Sequence, residues 1–415
     1  MEYLIKRSLL KDLEEHLSQK EITLLIGPRQ AGKTTLLLLL KGNLEKEKKK
    51  TAFFNLDIES DRQHFSSQEK LLRKIKLDIG SSGYVFIDEI QRKENAGIFL
   101  KGLYDMQLQY KFIVSGSGSV ELKEKIHESL AGRKRVFMLT TLSFKEFADF
   151  RTGYKYENRL DEFFDVDTSK ADALLEEYSN FGGYPRVVLS ETEKEKKAVM
   201  DEIYQSYLEK DVSYLIRLKK EESFTNLVRL IASQTGSPVN YSELSSTLGI
   251  SAKTVKHYLW YLQKTFILQK VSPFFRNARK EITKSPIFYF IDIGLRNYAT
   301  AEFGRVQQLG RVFQNFALPL LSEKTAAATS IYFWRTKDGA EVDFVLSYGD
   351  TIIPVEVKYS KLKQPKVEKS LKSFIAKYSP KKAYVINLSL EQEVQLGKTK
   401  VCFIPYYRLF STQFS

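Results

Sequence analysis

The chain has 415 residues, enough for two to four domains, and its hydrophobic (43%) and charged (28%) fractions are those of a folded protein, which excludes a largely disordered one. A single cysteine, Cys402, excludes an internal disulfide and a cysteine-built zinc site, and His16, His64, His127 and His257 lie too far apart to show metal-ligand spacing. The formal net charge of +14 favours polyanionic partners, nucleic acid first and anionic membrane surfaces second, unless the lysines serve solubility alone.

Residues 1–7 (MEYLIKR) lack the long apolar stretch of a signal peptide, and no apolar run approaches the ~20 residues that span a bilayer. The expected location is cytoplasmic. Residues 21–26 (EITLLI) predict a buried strand, and the five leucines at 36–40 predict a buried helix behind a glycine-bearing loop. Further strands are expected at Thr51–Leu56, Tyr84–Ile87 and Lys111–Val114, with helical patterns between them. Strands alternating with helices imply an α/β fold with a parallel sheet covered on both faces.

The loop reads Gly27-Pro28-Arg29-Gln30-Ala31-Gly32-Lys33-Thr34 and fits G-x-x-x-x-G-K-[ST] at every fixed position, between strand and helix. Glycines let backbone N–H groups curl around phosphates, and the helix amino end adds partial positive charge. ATP is the expected ligand, held by Gly27 to Thr34 and by Thr35 at the helix start. Lys33 would reach the β- and γ-phosphates, and Thr34 would hold Mg²⁺. The apolar run Tyr84-Val85-Phe86-Ile87 ends in Asp88-Glu89. Asp88 would support Mg²⁺ and Glu89 would orient or deprotonate the attacking water, unless these acids only cap the next helix. Ser115 or Ser117, after the fourth strand, would contact the γ-phosphate or the water, or form a plain turn. Arg133 is a candidate for stabilising transition-state charge, or a structural ion-pair residue.

Gly27–Thr34, Phe86–Glu89, Ser115–Ser117, Leu130–Arg133 and Gly182-Gly183-Tyr184-Pro185 together resemble one family. It comprises the AAA-type archaeal and bacterial ATPases with a C-terminal restriction-endonuclease-like domain of unassigned function. The resemblance covers nearly the whole chain. It implies that Gly182–Pro185 belongs to the lid, lies over the nucleotide and reports its state, and that an acid-rich helix like Tyr207–Asp211 follows. Read from its residues, Gly182–Pro185 is equally a helix-breaking turn.

Residues 240–250 and 251–259 read as helix, glycine turn, helix, with Ser251 as N-cap and Lys253, Thr254, Lys256 and His257 where a recognition helix meets DNA. The stretch Ile267–Phe290 resembles a wing bearing Arg276, Arg279, Lys280 and Lys284. Such a winged helix binds duplex DNA or docks proteins.

Further on, 341–346 (EVDFVL) and 352–358 (IIPVEVK) flank a turn near Gly349. If Val342, Phe344 and Leu346 share a core with Ile353, Val355 and Val357, register sets Asp343 near Glu356, with Lys358 on the same face. This D…E-x-K set would hold Mg²⁺ through Asp343 and Glu356, with Lys358 placing water, unless it is a charged solvent face. The family resemblance implies a nuclease-like domain here. It also implies an acid in a Gly-x-x-x-Glu-Asn-like stretch, where Gly310–Asn315 carries Gln314 instead. Glutamine is a poorer Mg²⁺ ligand, which sets cleavage in question.

The expected order is a P-loop ATPase core at 1–142, a helical lid at 143–221, a winged helix at 222–300 and a restriction-endonuclease-like domain at 301–415. Two functions fit: an ATPase that couples nucleotide state to DNA, or a regulatory ATPase switch whose later domains dock proteins. Oligomerisation is open under both.

Overall fold

Strands that are apolar at every position belong at the centre of a sheet covered on both faces. In β1 (Ile22–Gly27) all six residues are buried. This is a computed structural model, and it describes residues 4–117, 129–215, 221–275, 281, 284–325 and 328–414. The chain divides into two compact units, Met1–Leu142 with Trp260–Ile267, and Ser143–Leu259 with Leu268–Ser415.

The first unit is an α/β sandwich. Its further strands are β2 (Thr51–Asn55), β3 (Gly83–Asp88), β4 (Tyr110–Ser117) and β5 (Lys134–Met138), and the sheet has the order β2-β3-β4-β1-β5. All four pairings are parallel. The helix Lys33–Lys46 buries Leu36, Leu37, Leu40 and Leu44 on one side, against Leu25, Phe86 and Ile113 of the sheet. Because β1 lies between β4 and β5 while β2 and β3 lie beyond β4, the crossovers diverge beside β1. A parallel sheet opens its ligand crevice at the carboxyl ends of strands at such a point.

The second unit begins with helices. Phe144–Arg151 starts on a capping box between Ser143 and Glu146. The helix Thr168–Phe181 ends at Gly182 and packs against Ile293–Ala299 at very short range. A Cβ on Gly182 would come within 2.4 Å of Asp292 Oδ1 and 2.5 Å of the Gly294 nitrogen, and Asp292 Oδ2 accepts from the Gly183 N–H at 2.8 Å. Close packing against Asp292 and Gly294 thus accounts for the absence of a side chain at Gly182. Within the Tyr207–Asp211 stretch the backbone is helical (Glu193–Leu215), and the side chains from Leu208 onward lie outside the described residues.

Next come the helices Tyr241–Leu248 and Ala252–Lys264, separated by Gly249 in the left-handed conformation. The antiparallel pair β6 (Leu268–Pro273) and β7 (Ile287–Phe290) follows. This hairpin does not stand apart. Ser272 and Pro273 pair in parallel with Tyr332 and Phe333 of β8 (Ser330–Arg335). The remaining strands are β9 (Glu341–Tyr348), β10 (Thr351–Val357), β11 (Lys382–Asn387), β12 (Gln392–Leu396) and β13 (Thr399–Pro405). Together they form one eight-stranded mixed sheet, ordered β12-β13-β11-β10-β9-β8-β6-β7. The helix Lys369–Tyr378 connects β10 to β11 and buries Leu371, Phe374 and Ile375 against Trp334, Val342 and Val385. The wing residues Arg276, Arg279 and Lys280 lie outside the described residues. No helix among the described residues is long and apolar enough to cross a membrane.

Candidate functional site

The loop after β1 has the backbone of an anion cradle. Gln30 (φ 57°) and Gly32 (φ 94°) are both left-handed, which curls the chain back before the helix Lys33–Lys46. Gly32 brings no side chain to the helix amino end, so the first-turn N–H groups face the loop unshielded. Gly27 is fixed by space. A Cβ there would stand 1.9 Å from the Leu139 carbonyl oxygen. We expect Gly27→Ala to cost about 1–3 kcal/mol of stability through overpacking and to abolish ATP binding. Chemical denaturation with an ATP titration checks this, and an unchanged unfolding midpoint would show that the loop yields.

Lys33 is 6% exposed. Its ammonium donates to the carbonyls of Gly27 (3.2 Å) and Pro28 (2.7 Å). Burial pushes it down to about 8, with Glu89 and Asp88 pulling in the opposite direction. Thr34 Oγ1 donates to Asp88 Oδ2 at 2.6 Å, and Asp88 is fully buried at the end of β3. Asp88 Oδ1 accepts from the Ser115 hydroxyl and from the Glu89 N–H (3.1 Å). Glu89 sits at φ 56°, strained for a residue with a side chain, and its carboxylate accepts from the Gln91 amide. Lys33, Thr34, Asp88, Glu89 and Ser115 thus converge at the carboxyl ends of β1, β3 and β4. An alcohol and a carboxylate in contact are the hard oxygen donors that Mg²⁺ prefers, so this set fits the metal. Pro28, Arg29 and Ala31 complete the loop, and Thr35 is exposed on the helix behind it.

Of the two candidate serines, Ser115 is joined to Asp88, while Ser117 is in register with Gly27 and its side chain lies outside the described residues. Arg133 is not brought to the loop. Its carbonyl accepts from the Ile22 N–H (2.9 Å) at the amino end of β1, about 16 Å of extended strand from Gly27. Its guanidinium pairs with Asp105 at 2.8 Å. A residue that precedes a parallel strand lies at the edge opposite the crevice, which rules out action on the phosphates bound by its own chain.

In the second unit, Asp343 and Glu356 meet across β9 and β10, just past the paired positions Phe344 and Val355. They are buried rather than on a solvent face, at 9% and 4% exposure. Asp343 accepts from the Val357 N–H (2.7 Å) and from the Gln314 side-chain amide (2.7 Å). Burial raises both carboxyls, and each acts on the other. Lys358 lies 3.6 Å from Glu356. The three groups open into a cavity of about 940 Å³ whose lining includes Lys366, Lys369 and Lys372. Among the described residues no cluster of three or more His, Cys, Asp or Glu is placed to hold a metal. Gln314, where the resemblance implies an acid, instead donates its side-chain amide to Asp343.

Three families match successive parts of the chain. Residues 19–148 match the family described as an AAA domain. Residues 172–305 and 309–408 match two families, each described as a domain of unknown function (DUF8612 and DUF4143). The chain is similar to an uncharacterised protein of Mycobacterium tuberculosis, 26% identical over 89% of this chain and 76% of that one. It is also similar to one of Methanocaldococcus jannaschii, 24% identical over 92% of this chain and 84% of that one. Among solved structures, Cdc6p from Pyrobaculum aerophilum matches at 11% identity over 77% of this chain and 97% of that one, with a TM-score of only 0.31. The family match and the loop geometry agree: residues 19–148, which carry the phosphate loop and the parallel sheet, are similar to the AAA domain family.

Proposed function

We propose that the protein is a Mg²⁺-dependent ATPase whose second unit engages duplex DNA. The convergence of Lys33, Thr34, Asp88, Ser115 and Glu89 at one sheet edge carries the reading. The loop N–H groups and Lys33 bind and orient the phosphates. Thr34 and Asp88 are the residues that would hold Mg²⁺, whose chemistry is to offset charge on the β- and γ-oxygens. Asp88 is oriented by the Ser115 hydroxyl, leaving Glu89 to orient the attacking water and take its proton.

Charge and shape support the DNA partner. Lys253, Lys256 and His257 are exposed at the start of the helix Ala252–Lys264, while Val255, Tyr258 and Leu259 of the same helix are buried. That is the division a recognition helix needs. The lysines around the Asp343–Glu356 cavity suit a phosphate backbone. The strand order and helix placement of β8 to β11 support the nuclease-like reading of this region. With Gln314 on Asp343, strand cleavage is not part of the proposal.

Steady-state ATP hydrolysis by the pure protein, with and without duplex DNA at low and moderate salt, tests this. We expect DNA to stimulate the rate and the stimulation to fade as salt rises. Hydrolysis indifferent to DNA at both salt levels removes the DNA partner and turns attention to protein docking.

A further inference from the structure

The phosphate loop is tied from outside by a residue that the motif does not include. Arg7, half-buried just ahead of the helix Leu9–Glu15, donates through one guanidinium nitrogen to the Ala31 carbonyl (2.9 Å). Another nitrogen donates to the carbonyls of Thr140 (2.8 Å) and Thr141 (3.3 Å). The segment that anchors Arg7 is also the wall of the loop. The Leu139 N–H donates to the Ile26 carbonyl at 2.8 Å, and the Leu139 carbonyl is the group that excludes a side chain at Gly27. Segment 139–141 therefore holds the base of the loop directly and its crown through Arg7.

A peptide unit is planar, with its C=O and the next N–H pointing to opposite sides. Holding the Ala31 carbonyl outward fixes the Gly32 N–H in the other direction, among the N–H groups available to phosphate. The loop needs such a tie, because Gln30 stands at a left-handed φ that costs a residue with a Cβ about 1–2 kcal/mol.

We propose that Arg7 is a positioning residue that keeps the loop in its phosphate-binding conformation and so sets the affinity for nucleoside di- and triphosphates. This rests on reading Gly27–Thr34 as the nucleotide site. The hydrogen bonds to Ala31, Thr140 and Thr141 act on the frame of the loop and not on Lys33, Asp88 or Glu89. Arg7 therefore supports ground-state and transition-state binding equally, and its loss shows in KM rather than kcat.

The test uses full-length wild type, Arg7→Ala and Arg7→Lys. The readouts are ADP and ATP dissociation constants, steady-state KM and kcat, and a thermal melt without nucleotide. For Arg7→Ala we expect both dissociation constants and KM to rise about tenfold, the scale of one charge-assisted hydrogen bond. We expect kcat to stay within about twofold. Arg7→Lys keeps the cation but cannot span three carbonyls, and should fall between the two. Wild-type affinity in a folded Arg7→Ala overturns the inference, as does a fall in kcat at unchanged KM. If Arg7→Ala does not fold, wild-type affinity in Arg7→Lys overturns it equally. Wild-type protein that binds neither nucleotide is a separate result, which removes the nucleotide reading and the inference with it.

Discussion

Lys33→Ala should leave the protein folded and unable to bind ATP at micromolar concentrations. Lys33 is among the few buried charges of the first unit, and its ammonium is held by the Gly27 and Pro28 carbonyls rather than by a direct ion pair. Carbonyl oxygens compensate desolvation only in part, which is why burial draws the ammonium down to about 8. A polyphosphate entering the loop supplies the missing counter-charge. Truncation at alanine removes that attraction and leaves the phosphates facing Asp88 and Glu89 with one cation fewer. Deleting one partner of a desolvated, hydrogen-bonded charge pair costs about 2–5 kcal/mol, so affinity should fall at least about thirtyfold. Stability should change little or rise, because the buried cation is itself a burden on the nucleotide-free fold. Calorimetric titration with ATP and a thermal melt without it separate the two effects. Undiminished ATP affinity in the alanine variant would place the phosphates elsewhere and remove the site.

The legible and illegible parts of this molecule differ in how local their causes are. Gly27 and Gly32 stand out in the sequence because the loop needs them for steric reasons at a fixed spacing, and the structure shows those reasons as the Leu139 carbonyl and a φ of 94°. The acids at the end of β3 are legible because an apolar run that stops abruptly at Asp88-Glu89 marks where a buried strand meets a polar site. The meeting of Asp343 with Glu356 follows from strand alternation, and the structure brings them together, though in a buried cavity rather than on a charged face. Arg133 is misplaced by sequence reasoning because the short strand Lys134–Met138 after it is half-exposed and shows no long apolar run. Once β5 is placed, a residue preceding a parallel strand falls at the amino edge of the sheet. Arg7 carries no local signal. Its meaning lies in carbonyls 133 and 134 residues further on, and main-chain acceptors leave no mark on the sequence that presents them. The parallel contact of β6 with β8 is hidden in the same way, since pairing between distant strands depends on the crossover and not on either strand alone.

Glu89→Gln should bind ATP as the wild type does and hydrolyse it about 10²–10⁴-fold more slowly, the range for loss of a general base. The substitution tests a division of labour between adjacent acids. Asp88 is fully buried, and its two oxygens are committed to Thr34, Ser115 and the Glu89 N–H. It can orient a metal but is poorly free to accept a proton. Glu89 follows at a left-handed φ, which turns its side chain away from the direction a continuing strand would give it. Its carboxylate is held by the Gln91 amide. Strain of about 1–2 kcal/mol at a non-glycine residue is consistent with aiming a carboxylate at a particular spot. Glutamine retains the shape and still accepts from Gln91 through its own carbonyl oxygen, but it cannot take a proton from water near neutral pH. Binding and melting temperature should therefore survive while kcat falls. Asp88→Asn is the contrasting variant, since it disturbs the Thr34 and Ser115 hydrogen bonds and should weaken Mg²⁺-dependent nucleotide affinity as well as turnover. Equal loss of affinity in both variants would show that the two acids act as one metal-holding unit. A normal kcat in Glu89→Gln would move the base to another residue, and the strained φ would then belong to the turn into the Ile90–Arg92 helix alone.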